Sequence, residues 1–345
     1  MKHFRVLSTI VLLSGAVPMI RADQHERTLV VTSSNAPNNE LLVYDTRGAL
    51  IQTVSTLGQG GVGGNAGGIA TDKGAVAVVN FGSQSVSILA RDEHGFEVRQ
   101  VISTVSPPVS VAYGNNHLYI LGTTTVESHR IEGSTIEANA DGEIALLRAD
   151  GTAAQVGVVG DQVIVSEKSG VIEVADLQEG AVVGPAVSVP LPDGSRDTPF
   201  GLVTRGRNAY VTIAHSDEIS LIKNGQLVAL TSIGSGFPSG PGQQAPCWIA
   251  LSGPYLFTSN SPSHSISRLV ATGRKVVLDA PVAAHTDGAP IDIATDGELL
   301  AVVESNGGGQ SHLTQFRVAD DGTLARATTT AIASGANGVG IVSER

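Results

Sequence analysis

The strongest constraint on this chain is a repeat of about 45 residues. Each copy opens on Pro or Ala, gives an aliphatic residue three positions later, turns on small polar residues, and returns as an aliphatic run. The copies read "AGGIATDKGAVAVVN", "PVSVAYGNNHLYILG", "AAQVGVVGDQVIVSE", "PFGLVTRGRNAYVTI", "PCWIALSGPYLFTSN" and "PIDIATDGELLAVVE". Leading residues Ala66, Pro108, Ala153, Pro199, Pro246, Pro290 and Ala336 are separated by 42, 45, 46, 47, 44 and 46 positions. In six copies the aliphatic residue precedes the end of the next strand by eleven positions: Ile69 and Asn80, Val111 and Gly122, Val156 and Glu167, Leu202 and Ile213, Ile249 and Asn260, Ile293 and Glu304. Two hairpin arms held in register six times are a designed unit. A third alternating segment ("SVSILA", "EISLIK") and a fourth ("FEVRQVIS", "LVALTS") follow. Four strands per unit of this length is the signature of a β-propeller blade, and the segments lack the 3.6-residue period of a helical solenoid.

Six complete units occupy roughly residues 64–333. The early segments "TLVVTS", "ELLVYD" and "ALIQTV" match the second, third and fourth strands of a blade. The closing "GVGIVS" matches the missing first strand. The expected fold is therefore all-β: a seven-bladed propeller of four-stranded antiparallel blades. One blade is built from both ends of the chain, so the ring closes without free sheet edges. Residues 23–345 read as a single domain.

Composition agrees. Hydrophobic residues make up 41% but aromatics only 4%, so Val, Ala, Ile and Leu must fill the interior, and 41 glycines serve the turns. The net charge of −11, with no basic stripe, argues against a nucleic-acid partner. Lys2 and Arg5 precede an apolar run from Val6 to Val17, which fits a signal peptide over 1–22 with cleavage after Ala22, the alternative being an uncleaved anchor. A secreted or periplasmic protein is expected, with no membrane span after cleavage. Cys247 is the single cysteine and cannot form a disulfide within the chain.

The segments "AYVTIAHSDEISLI", "AVAVVNFGSQSVSIL" and "YLFTSNSPSHSISRL" resemble YVTN-type repeats, grouped with lactonase-like seven-bladed propellers. The resemblance spans nearly all of residues 23–345 and implies exported proteins and, for lactonase-like members, hydrolysis of a small cyclic ester at the central funnel. The family's "PRH…FSPDG" run is replaced here by "PFGLVT", "PCWIAL" and "PIDIAT", so no catalytic residue is carried over. Of the inner-strand amides typical of metal-dependent gluconolactonase-type propellers, only Asn337 is matched, and a turn role suits it as well.

Two sets of residues map to one mouth of the ring, where ligands approach propellers. The strand-end set is Ser33, Asn80, Glu167, Asn260 and Glu304. Two carboxylates and two amides could hydrogen-bond a polar ligand or hold a divalent cation, while Asn at a strand end commonly caps its own turn. The loop set comprises Asp193, Arg196 and Asp197 in "PDGSRDTPF", His285 and Asp287 in "AAHTDGAP", and Gln243, Gln244, Cys247 and Trp248 in "GFPSGPGQQAPCW". His285, Asp287, Glu304 and Arg196 are the catalytic candidates, as acid–base groups and an anion holder. Asn80, Asp197, His215, Trp248 and Asn260 are the ligand-binding candidates, with Trp248 equally suited to packing. His215, His264 and His312 share the second-to-third strand loops with no zinc-type spacing, so no metal site or cofactor is assigned. "GGVGGNAGG" and "SNGGGQ" lead into neither helix nor Lys and read as loops.

These observations give two functional expectations. The first is an exported monomer that binds a small molecule, glycan or protein of the cell envelope at its loop-lined mouth. The second is a lactonase-like hydrolase.

Overall fold

A computed structural model describes residues 28–193, 198–234, 243–307 and 309–343. The signal segment 1–22 and the loop residues Arg196 and Asp197 lie outside the described residues. Seven antiparallel sheets follow one another along the chain, each paired in sequence order from inner to outer strand. The first is the seam: Leu29–Ser33, Glu40–Asp45 and Leu50–Ser55 are joined at the inner edge by Asn337–Val342. Blades 2 to 7 begin with the inner strands Ile69–Asp72, Pro108–Gly114, Ala153–Val159, Pro199–Arg205, Pro246–Ser252 and Ala289–Thr295. The seven-bladed all-β ring and its closure are as the repeat predicts.

The strand pattern follows from position in the ring. Second strands such as Ala75–Asn80, His117–Gly122 and Leu299–Ser305 are buried on both faces between neighbouring blades, so their sequences are continuous apolar runs. Outer strands such as Gly95–Ser103 alternate, with one face in water. The core is a circuit of clusters between adjacent sheets, filled by aliphatic side chains with Tyr119, Tyr210, Phe257 and Phe316 fully buried. In blades 3 to 7 the leading residue of the inner strand pairs with the strand end fourteen positions later: Pro108 with Gly122, Ala153 with Glu167, Pro199 with Ile213, Pro246 with Asn260 and Pro290 with Glu304.

Two blades depart from the pattern. In blade 3 the outer edge is two short pieces, Thr135–Ile136 and Gly142–Ala145, both paired with Thr125–Glu132. Between them Asp141 accepts hydrogen bonds from Ser128 Oγ (2.8 Å) and bonds His117 Nε2 (2.8 Å), which holds the interruption in place. In blade 2 the inner strand is only four residues long, because the preceding chain leaves the sheet.

Candidate functional site

Five inner strands carry a register shift just after the leading Pro or Ala, and the seam strand carries the same shift. A bulge there re-aims the residue two positions after the leader. Those residues are Gly68, Ser110, Gln155, Gly201, Trp248, Asp292 and Gly338. In four of these strands the next backbone N–H is received by a re-aimed side chain. Val156 N–H donates to Ser110 Oγ (3.3 Å) and Leu202 N–H to Gln155 Oε1 (2.6 Å). Ile293 N–H donates to Asp292 Oδ1 (2.8 Å), and Val339 N–H to Asp292 Oδ2 (3.1 Å). Each bond to a neighbouring blade stitches the ring around its axis. The axial channel inside has a volume of about 390 Å³ and is lined by the inner strands of all seven blades.

Asp292 is the one carboxylate among the described channel-lining residues, and it is 4% exposed. Burial pushes its pKa up to about 7, the two backbone N–H donors only partly offsetting the loss of water. A group poised at neutrality in a cavity can change charge in response to a ligand or a proton. Below it the inner strands end on Thr71, Tyr113, Thr204 and Thr295, all half-buried, so this end of the channel meets solvent.

The opposite end is crossed by the glycine-rich segment. Asn65, 1% exposed, donates from Nδ2 to Val109 O (2.6 Å) of blade 3 and accepts at Oδ1 from Asn337 Nδ2 (2.9 Å) of the seam. Its backbone oxygen accepts from Trp248 Nε1 (3.0 Å) of blade 6, and Ala66 N–H donates to Ala154 O (3.1 Å) of blade 4. Lys168 Nζ is bonded to Gly64 O. A segment tied to blades 1, 3, 4 and 6 lies over the axis, so residues 62–66 act as a plug. Gly67 must be glycine here: its φ is +63°, and a Cβ would lie 3.0 Å from both Ser110 and Gln155. Asn65→Ala removes two side-chain bonds, each worth about 1 kcal/mol net. The expected result is about 2 kcal/mol less stability by urea titration, and a red shift of fluorescence from Trp248, the single tryptophan.

The candidates read from sequence fall into separate places. Asn80 and Asn260 are fully buried. Asn80 Nδ2 donates to Ser87 Oγ (2.8 Å), and its Oδ1 accepts from Asn39 Nδ2 (3.0 Å) and Thr56 Oγ1 (2.8 Å). Asn260 Nδ2 donates to Ser267 Oγ (2.8 Å) and faces Gln243 Oε1. These networks pin the linkers that lead into their own blades. Glu304 does the same, accepting at Oε2 from the N–H groups of Asp287 and Gly288, both 2.8 Å. Ser33 is likewise buried, bonded to Asn39 Oδ1 (2.7 Å). As placed, none of these strand-end residues presents a polar atom to a shared mouth.

His285 and Asp287 stay exposed on the corner between blades 6 and 7. Arg326, from the outer strand of blade 7, pairs with Asp287 Oδ2 (2.7 Å) and donates to His285 O (2.6 Å), an anchor that no repeat pattern pointed to. His285, Asp287 and Glu304 therefore share a corner, while His215, exposed and bonded through Nδ1 to Thr198 Oγ1 (3.1 Å), sits at blade 5. Trp248 is 9% exposed and packs edge-on against Phe200 (5.1 Å between rings) beneath the plug. The Cys247 thiol is half-buried, and burial raises its pKa to about 12. No group of three or more metal-ligating side chains occurs among the described residues. Asp292, Gln155 and Ser110 were missed; aligning the copies on the position two after each leader would have singled them out.

No protein-family model and no curated protein matches the sequence. Solved structures do match over nearly the whole ring. A candidate 6-phosphogluconolactonase from Bacteroides fragilis is 13% identical, covering 93% of this chain and 99% of that one with a TM-score of 0.69. A protein from Lactobacillus plantarum is 15% identical over 92% and 99% (TM-score 0.68). The periplasmic gluconolactonase of Pseudomonas aeruginosa is 15% identical over 92% and 99% (TM-score 0.62). At such identities the fold alone is shared: this chain is a seven-bladed β-propeller, similar in structure to proteins of the lactonase-like group.

Proposed function

We propose that this chain is an exported propeller that binds a small polar molecule in its axial channel, entered from the face away from the plug. One observation carries the reading: a 390 Å³ cavity of small-ligand size in which Asp292 and Gln155 stand among threonine hydroxyls, the rest of the wall being aliphatic with Trp248 and Tyr113. Apolar walls with a few convergent polar groups are what small-molecule sites have in common. The rim candidates scatter over several blades, which suits recognition better than catalysis there.

A second reading, hydrolysis of a small cyclic ester, is favoured by Asp292 itself. A carboxylate with a pKa of about 7 could take the proton of a water attacking a lactone carbonyl. The activities attached to the Bacteroides and Pseudomonas neighbours agree with it.

Both are tested by a panel of sugars, sugar acids and their lactones, followed by thermal shift and by ester hydrolysis, with and without chelator. Under the binding reading, a panel member raises the melting temperature, Asp292→Asn weakens it about tenfold, and hydrolysis is silent. Turnover lost in Asp292→Asn, with a pH–rate profile breaking near 7, establishes the hydrolase instead. A panel without effect on either assay removes both.

A further inference from the structure

The face away from the plug is rimmed by the turns that join the first strand of each blade to the second and the third to the fourth. In blades 5 and 6 these turns carry Arg205, Arg207, Lys223, Arg274 and Lys275 and no carboxylate. The same turns of the flanking blades are acidic: Asp161 and Glu179 in blade 4, Asp296, Glu298, Asp320 and Asp321 in blade 7. No stretch of sequence displays this patch, because its cations come from three separate turns that the ring brings to one corner.

The cations are linked across the two blades. Arg207 donates to Asn224 Oδ1 (3.4 Å), and Arg205 of blade 5 donates to the carbonyls of Gly253 and Ala271 in blade 6. Lys223 and Arg274 line one hollow of about 370 Å³ with Asn224, Gln226, Leu227 and Val228, so no carboxylate faces it. Among the described residues none of the five cations is in an ion pair, and the acid of the adjoining outer strand, Asp279, is taken by Arg268 (Nε to Oδ2, 2.7 Å). Salt screens charges beyond about 8 Å at physiological ionic strength, so an approaching surface meets this local surplus rather than the net charge of −11. Beside the cations the outer strands turn methyl groups to water: Val228 is 38% exposed and Val277 54%. Cations interleaved with exposed aliphatics suit a lipid interface, where phosphates take the charge and the acyl boundary takes the methyls. A soluble polyanion offers the valines nothing.

We infer that this corner of blades 5 and 6 docks on a membrane leaflet rich in anionic phospholipid, its five cations on lipid phosphates and Val228 and Val277 at the acyl boundary. The surface does not depend on the channel reading, since no residue of the hollow lines the channel.

The test is flotation of the full chain with vesicles of phosphatidylcholine, alone or with about a third phosphatidylglycerol. Each cation at an anionic leaflet tightens binding about fivefold, so wild type is expected to hold the anionic vesicles about tenfold tighter or more. Replacing two cations together, Arg274→Gln with Lys275→Gln, should weaken that binding about twentyfold. Arg47→Gln, which removes a cation paired with Asp45 on blade 1, should leave it unchanged. The segment Val6–Val17 is common to every variant and drops out of the comparison. Lys223→Gln, in a different turn, serves as a second variant if the first disturbs folding. Equal binding of wild type to both vesicles, or anionic binding that survives these substitutions, would overturn the surface. Dextran sulfate held as tightly as the anionic vesicles, with Val228→Ser and Val277→Ser weakening neither, would assign the corner to soluble polyanions and overturn the docking as well.

Discussion

A chain ending at Ala333 is expected not to fold. The lost segment Asn337–Val342 is the inner strand of the seam blade and pairs over its length with Leu29–Ser33. Val339, Ile341 and Val342 are each 8% exposed or less, and burying three such side chains contributes about 5–9 kcal/mol. That range is comparable to the whole stability of an ordinary domain. Two further stitches go with it: Asp292 Oδ2 loses the Val339 N–H, and Thr71 Oγ1 loses Ile341 O (3.0 Å). The buried strand Leu29–Ser33 would become an unpaired, apolar sheet edge of the kind that aggregates. Size-exclusion chromatography and thermal melts of the truncated chain decide the matter. A monomer with a cooperative transition close to that of the full chain would show that the seam does not hold the ring.

Replacing Glu167 by Gln should stabilise the protein, and more so as pH rises. Glu167 is fully buried at the end of the second strand of blade 4, with neither carboxylate oxygen hydrogen-bonded. Glu173, on the neighbouring strand and 1% exposed, accepts Leu147 N–H (2.9 Å) at Oε2 and nothing at Oε1. Burial, then repulsion from Glu173, pushes Glu167 up to about 8; burial pushes Glu173 up to about 7. Both carboxyls are thus protonated in the fold over a range where the unfolded chain is ionised. Between about pH 4.5 and pH 8 the native state holds more protons than the unfolded one, and stability falls as pH rises. The penalty is absent below the ordinary carboxylate range and complete above pH 8. Removing one acid lifts on the order of 2–4 kcal/mol of it at pH 8 and almost none at pH 4.5. Urea midpoints of wild type and Glu167→Gln, compared across that range, should diverge steadily. Parallel curves would mean that the two acids are not the source of the penalty.

The ring was legible in sequence because blades repeat. Pairing of Pro246 with Asn260 and of Pro290 with Glu304 follows from one offset seen six times, and such periodicity needs no knowledge of side-chain contacts. The site was less legible. A polar residue at a strand end reads the same whether it faces a ligand or a linker, and here all three face linkers: Asn80 accepts from Thr56 Oγ1, Asn260 donates to Gln243 Oε1 and Glu304 accepts the Gly288 N–H. Asp292 carried no local motif. Its role comes from a bulge that turns it toward the next inner strand, where Val339 N–H meets it, a contact between blades that no local pattern records. The plug escaped for a similar reason: "GGNAGG" fits the repeat at Ala66, yet its glycines let the chain leave the sheet and reach Trp248, 183 positions away.

The seam also fixes how the molecule can be held. Thr28 Oγ1 lies 3.3 Å from Ser343 Oγ, and Ser343 bonds Asp296 (3.0 Å) in a turn on the face where the channel opens. The first and last described residues thus emerge side by side beneath the ring. A short peptide joining Thr28 to Ser343 would make the backbone a continuous loop, which could then be cut at any surface turn and still spell out the same seven blades in rotated order.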